Sequence, residues 1–313
     1  MPSSKPAAAS ISNELERSYM AIAAAEDWSK EYDKDPVAKA KLISQEAKLE
    51  GGIRSWMRDA ADRVINKYVN WPAYVHQLRI QGGDSIKAFD FSYVFDDSQW
   101  DEEDQLFGQA VHDQIQLGIT IGGQSGEQIY NKPIGITQTS QFITDAARQR
   151  VAQLVGKQVK KDGTVVDNPN SKMSVTDTTR AKIQQSIQTS YQLHEDQDAA
   201  TKRLTGVIKD YPRAGVIART EMVNAYQTGL HTFGKQSGAT GKEWQDVGAE
   251  DQCADNSAQG VIPIDDTFDS GDDFPPAHPN CRCGDRLVYA NEFDPNGDGG
   301  SGTDDGGDDD LSS

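Results

Sequence analysis

The stretch PRAGVIARTEMVNAYQTGLHTFG, residues 212–234, decides how this chain is read. Pro212 suits a first helical turn, where the N–H that proline lacks would have had no intrahelical partner. Beyond it, Ala218, Met222, Ala225 and Gly229 recur at three- and four-residue spacing as a stripe of mostly small residues. Glu221, Asn224, Thr228 and His231 form a polar stripe beside it. The spacing predicts one long amphipathic helix, with helical periodicity before it and short β-like segments after it.

Upstream, Asn13 with Glu16 is an N-cap pattern that predicts a helix to about Lys30. Asp35-Pro36 opens a second helix, which Gly51-Gly52 is expected to stop. Ile53, Trp56, Met57, Ala60, Val64 and Tyr68 predict a third helix to about Asn70, ended by Trp71-Pro72. Residues 88–94 read as a short aromatic strand, 100–117 as a helix with an acidic first turn, and the glycine-rich ITIGGQSG at 119–126 as a loop. A second helical block places Phe142, Ile143, Ala146, Val151 and Leu154 on one face, and Lys160-Lys161-Asp162-Gly163 reads as a hairpin turn. Helices are expected at 175–193 and 199–209. After Gly238, KEWQDV, GVIPI and RLVYA are short and β-like.

The fold class is therefore α+β: mainly α-helical N-terminal and middle regions, then a small irregular β-containing module, then a disordered acidic tail. The expected divisions are a flexible 1–12, a helical 13–135, a unit at 136–290 that is helical to 236 and β-rich from 237, and a tail at 291–313.

At 313 residues the chain has room for about two domains. Apolar residues make up 36%, charged residues 26%, and mean hydropathy is −0.68, so unpacked segments are expected. No apolar run reaches the roughly 18 to 20 residues that span a bilayer, and the N-terminus lacks the apolar core of a signal peptide. A soluble protein made in the cytosol, without a membrane partner, is expected. The net charge of −18 argues against a protein that coats itself with nucleic acid. Residues 147–220 nevertheless hold 13 Lys/Arg against seven acids, and Lys157, Lys160, Lys161 and Arg180 are candidates for weak phosphate contact. The alternative is a set of solvated helix faces.

Cys253, His278, Cys281 and Cys283 supply three thiolates and an imidazole, the ligand types of a closed tetrahedral zinc site. On an extended segment Cys281 and Cys283 point the same way, and His278 can fold back through a turn at Pro279. Buried packing cysteines, or a disulfide from Cys253 to Cys281 or Cys283, are the alternatives, the disulfide being disfavoured in a reducing cytosol. No catalytic zinc signature accompanies these residues. Asp294, Asn296 and Asp298 open like an EF-hand loop, but Asp305 stands where a bidentate glutamate belongs, so weak calcium binding is the most this segment offers.

Three features fall in order: Ala218-Arg219-Thr220-Glu221, then Trp244 with Asp251 and Cys253, then Pro275-Pro276-Ala277-His278-Pro279-Asn280-Cys281-Arg282-Cys283. Over 214–287 the chain resembles the phage head morphogenesis family, the minor head or minor capsid proteins similar to the F protein of phage Mu. Where many relatives carry a cysteine three residues after the first, this chain has Asn256. The resemblance implies a non-enzymatic protein of few copies, acting in head assembly at or near the portal and retained inside the capsid. Its partners would be portal or capsid proteins, and its location the virion, after assembly in the host cytoplasm. Arg219 and Glu221 are expected to join the long helix to the β module by charged hydrogen bonds. The rival readings are a metal-dependent hydrolase or nuclease using the Cys/His cluster with Glu221, and a DNA-contacting packaging factor using the basic middle.

Overall fold

The computed structural model describes residues 28–81, 89–171, 173–248 and 251–290. The flexible N-terminus, nearly all of the predicted helix at 13–30, the acidic tail and the EF-hand-like segment lie outside them. At 28–29 the chain is not helical; Ser29 caps a 3-10 turn, Lys30–Lys34, and Tyr32 is buried beneath it.

Helix α1 spans Pro36–Arg63, with the Asp35 carboxylate accepting the Ala38 N–H at 2.9 Å, and a π turn at Val64–Tyr68 prolongs it. Gly51-Gly52 does not stop this helix, contrary to expectation. The missing side chain at Gly52 serves packing instead, since a Cβ there would lie 2.7 Å from the Ala110 carbonyl oxygen. Trp71-Pro72 likewise starts a helix, α2 (Trp71–Gln81), because Asn70 accepts the Ala73 N–H and proline is tolerated in a first turn. The predicted aromatic strand is, in its described part, one helical turn, α3 (Phe91–Val94); only Phe95 makes a β-bridge, to Val69.

Helix α4 runs Trp100–Ile129, straight through the glycine-rich stretch expected to be a loop. It is followed by α5 (Gln141–Leu154), then the antiparallel hairpin β1 (Lys157–Val159) and β2 (Val165–Asp167), turned at Gly163 with φ +83. Helices α6 (Val175–Gln192), α7 (Gln197–Ile208) and α8 (Tyr211–Ser237) follow as the periodicity predicts, and Gly238 ends α8 in the left-handed conformation.

The glycines of α4 make sense against α8. Helical glycine costs about 1 kcal/mol relative to alanine, yet here it lets two backbones touch. A Cβ on Gly122 would lie 1.9 Å from the Tyr226 carbonyl oxygen, and one on Gly229 would lie 1.9 Å from that of Ile119. Gly118 meets Ala225 and Met222 in the same way. The small stripe of α8 is thus one half of a helix seam.

Beyond α8 come β3 (Gly241–Gln245), α9 (Asp251–Ala258), β4 (Val261–Pro263) and β5 (Gly284–Val288), forming an antiparallel sheet in the order β4-β3-β5. Helix α9 lies where only irregular structure was expected. One apolar core runs from Trp28 to Tyr289 through all the long helices. A second, much smaller one consists of Trp244, Cys253, Phe268, Cys281 and Cys283. No described helix is long and apolar enough to cross a membrane.

Candidate metal centre

The small core is where the sequence-predicted ligands meet. Cys253 lies on α9, and one turn on, at the same face, Asn256 donates to Ser270 Oγ at 2.9 Å. Opposite α9, the Cys281 N–H donates to the His278 carbonyl at 3.2 Å, closing the turn at Pro279 that brings ring and thiol together. Asn280 takes φ +65 in that turn, a conformation asparagine tolerates better than most residues.

One donor atom from each of Cys253, His278 and Cys281 lies within 4.8 Å of the others. The two sulfurs are 3.8 Å apart. Two thiolates bound at about 2.3 Å to a tetrahedral zinc would be about 3.8 Å apart, so this pair is spaced as one edge of such a site. His278 Nδ1 lies 2.9 Å from the Pro279 carbonyl oxygen. A carbonyl can only accept, so Nδ1 carries the proton and Nε2 keeps its lone pair, the tautomer metal-binding histidines use. Cys283 is not among the three, but it is buried in the same core. Cys281 is held down by the Cys253 and Cys283 thiols, which bond to its sulfur, against the effect of burial. The same contacts push Cys253 up. The group therefore favours one thiolate, the form in which cysteine binds metal.

Around this cluster Trp244 is fully buried, edge-on to Phe268, and Arg282 points the other way, as alternation along an extended segment requires. Arg282 donates to both oxygens of Glu46 on α1, at 2.7 and 3.1 Å, and stacks over Trp28 at 3.9 Å. Tyr32 donates to the Cys283 carbonyl at 3.1 Å, and the Ser29 N–H to the Arg282 carbonyl at 3.1 Å. Trp28, Tyr32 and Glu46 were not recognised in the sequence, since their partner lies more than 230 residues away and no local pattern announces it.

The two other motif segments divide. Thr220 Oγ1 accepts the Asn280 N–H at 3.1 Å and Arg219 donates to Asn280 Oδ1 at 3.3 Å, so the long helix does grip the loop. Ala218 is fully buried in the large core. Glu221 does not join the helix to the module: its carboxylate is held by Arg150 of α5, at 2.6 and 2.8 Å. Pro275 is buried, Pro276 partly so, Pro279 is exposed, and Asp251 begins α9. Of the predicted phosphate contacts, Lys157 pairs with Asp101 and Asp104, and Arg180 with Asp97, leaving Lys160 and Lys161 exposed.

Comparison of the chain with protein-family models, with curated proteins and with solved structures finds no match in any of the three.

Proposed function

We propose that the chain is a phage minor head protein that acts in head assembly at or near the portal, binds portal or capsid protein, and stays inside the capsid. The observation that carries the reading is a contact. Residues 275–283, the specific part of the resemblance, and residues 218–221 are remote in sequence, yet Asn280 is bonded to both Arg219 and Thr220, 61 and 60 residues away. Residues that share a family motif while remote in sequence are expected to share a structural task, and this pair has one. The hydrolase or nuclease reading asks Glu221 to act beside the cysteines, whereas its carboxylate is taken by Arg150. The DNA reading is left with little more than Lys160 and Lys161 of its four cations.

The Cys/His cluster in this reading holds a structural zinc ion, with Cys253, His278 and Cys281 as ligands and Cys283 completing the set. The metal would supply cohesion to a module whose own core is five side chains. The test of function is the location and copy number of the protein in purified capsids. A few copies per particle, released only when the shell is opened, is the expected result. Absence from capsids, or metal-dependent nuclease activity lost in Glu221→Gln, overturns it.

A further inference from the structure

Cys253 of α9 and Cys281 of the 275–283 loop face each other across the small core, free thiols whose sulfurs are 3.8 Å apart. Both residues are 1% exposed. They lie 28 residues apart in the chain, and the segment between them carries β4, Phe268 and His278. A link between the two sulfurs closes that segment as a loop. Cys283, also buried, is the third free thiol of this core.

Of the three pairings, this one fits disulfide geometry best. Cys281 and Cys283 are two residues apart on an extended segment, so their Cβ atoms point the same way at roughly 6.6 Å, against the roughly 3.8 Å that a disulfide spans. Cys283 is also fixed from the far side, since it directly precedes β5 and its carbonyl accepts the Tyr32 hydroxyl. Cys281 instead follows the turn at Pro279 and Asn280, both exposed. A shift of that turn by roughly 2 Å brings its sulfur to bonding distance of Cys253.

We infer that Cys253 and Cys281 form a disulfide when the protein passes from reducing to oxidising surroundings, so that two residues which hold the module through zinc in the cell hold it directly afterwards. The need lies in a core of five side chains, too small to keep the surrounding loops closed unaided. The occasion rests on the proposed function: a particle assembled in a reducing cytosol ends in an oxidising medium. The oxidant is a low-molecular-weight disulfide such as oxidised glutathione. Cys281, on the loop that opens, gives up its thiol proton, and its sulfur attacks one sulfur of that disulfide, whose S–S bond breaks and releases a first small thiol. The Cys253 sulfur, losing its own proton, then attacks the Cys281 sulfur and displaces the second small thiol. Two electrons and two protons have passed from the protein to the two released thiols. Zinc leaves in the process, because linked sulfurs are no longer thiolate ligands.

The test starts from the full chain, reduced and stripped of metal with a chelator, then exposed to oxidised glutathione, alkylated in denaturant and cut with trypsin. Cleavage after Lys242, Arg282 and Arg286 puts Cys253 and Cys281 on one peptide, 243–282, and Cys283 on another, 283–286. The expected result is peptide 243–282 unalkylated and about 2 Da lighter than its reduced form, with Cys283 alkylated. Amide exchange over 241–288 should also be slower than in the stripped, reduced protein. Peptides joined through Cys283, cysteines left capped by glutathione, no linkage, or a linkage that leaves the exchange of 241–288 unchanged overturns the inference. Zinc binding by the reduced protein is measured separately. Linkage without zinc binding upholds the disulfide and refutes the metal reading, and zinc binding without linkage does the reverse.

Discussion

The α4–α8 seam and the β module solve the problem of cohesion in opposite ways. In the seam, two helices of 30 and 27 residues approach until backbone meets backbone, with glycines on both sides and a core that reaches from Trp28 to Tyr289. In the module, three short strands and one short helix surround five buried side chains, three of them cysteines. A small core cannot offset the conformational entropy of the loops around it. The module is instead tied outward, by Arg282 to Glu46, Asn280 to Thr220 and Leu287 against Gly234. The contrast teaches that one region is stable through shape and the other through specific bonds, so different substitutions should break them.

The largest effect is expected from Arg282→Ala. It leaves Glu46 with only the longer Arg219 contact at 3.5 Å and strips the stacking on Trp28, and should cost about 4 kcal/mol, read from urea unfolding. The damage should fall on the module and on the 3-10 turn, seen as faster amide exchange there. Next comes the seam: Gly229→Ala places a Cβ on a backbone oxygen that no side-chain rotation can move. It should cost about 3 kcal/mol and unfold the helices together, with a single transition. Gly51→Ala, where a Cβ meets nothing within 4 Å, is the control and should stabilise the helix by about 1 kcal/mol.

These same glycines show what was legible in the sequence. The caps at Asp35 and Pro212, the hairpin turn at Gly163 and all three strands of the module follow from local chemistry. So does the meeting of Cys253, His278 and Cys281. Gly51-Gly52 and ITIGGQSG were misread as breaks because a glycine's local preference is to end a helix, and the partner that makes it useful is known only once the chain has folded. Helix α9 escaped for a related reason: in DQCADNSA only Cys253 and Asn256 mark the buried face, too few to show a period. Glu221 was assigned to the wrong neighbour because its polar stripe says that it is bonded, not to what.

pH separates the two regions with opposite signs. His231, at the junction of α8 and the module, lies tilted against Phe274 and is lowered to about 3, first by burial and then by Lys242. A depressed histidine contributes stability above its unfolded pKa, and this is lost as pH falls from about 6.5. Relative to His231→Phe, the protein should lose about 2 kcal/mol between pH 6.5 and 5. Asp104 of α4 is raised to about 6, mainly by burial, opposed by Thr176 and Lys157. A raised carboxylate stabilises when protonated, so relative to Asp104→Asn the protein should gain about 0.5 kcal/mol between pH 6 and 5 once solvent screening is allowed for. Urea midpoints at the two pH values check both signs.

The most direct test is zinc content combined with amide exchange before and after chelation. The account predicts about one equivalent of zinc in protein purified under reducing conditions, and loss of protection on chelation confined to 241–288. The helices at 36–63, 100–129 and 211–237 should keep theirs. Protein that is fully folded without metal, or chelation that leaves the exchange of 241–288 unchanged, would contradict it.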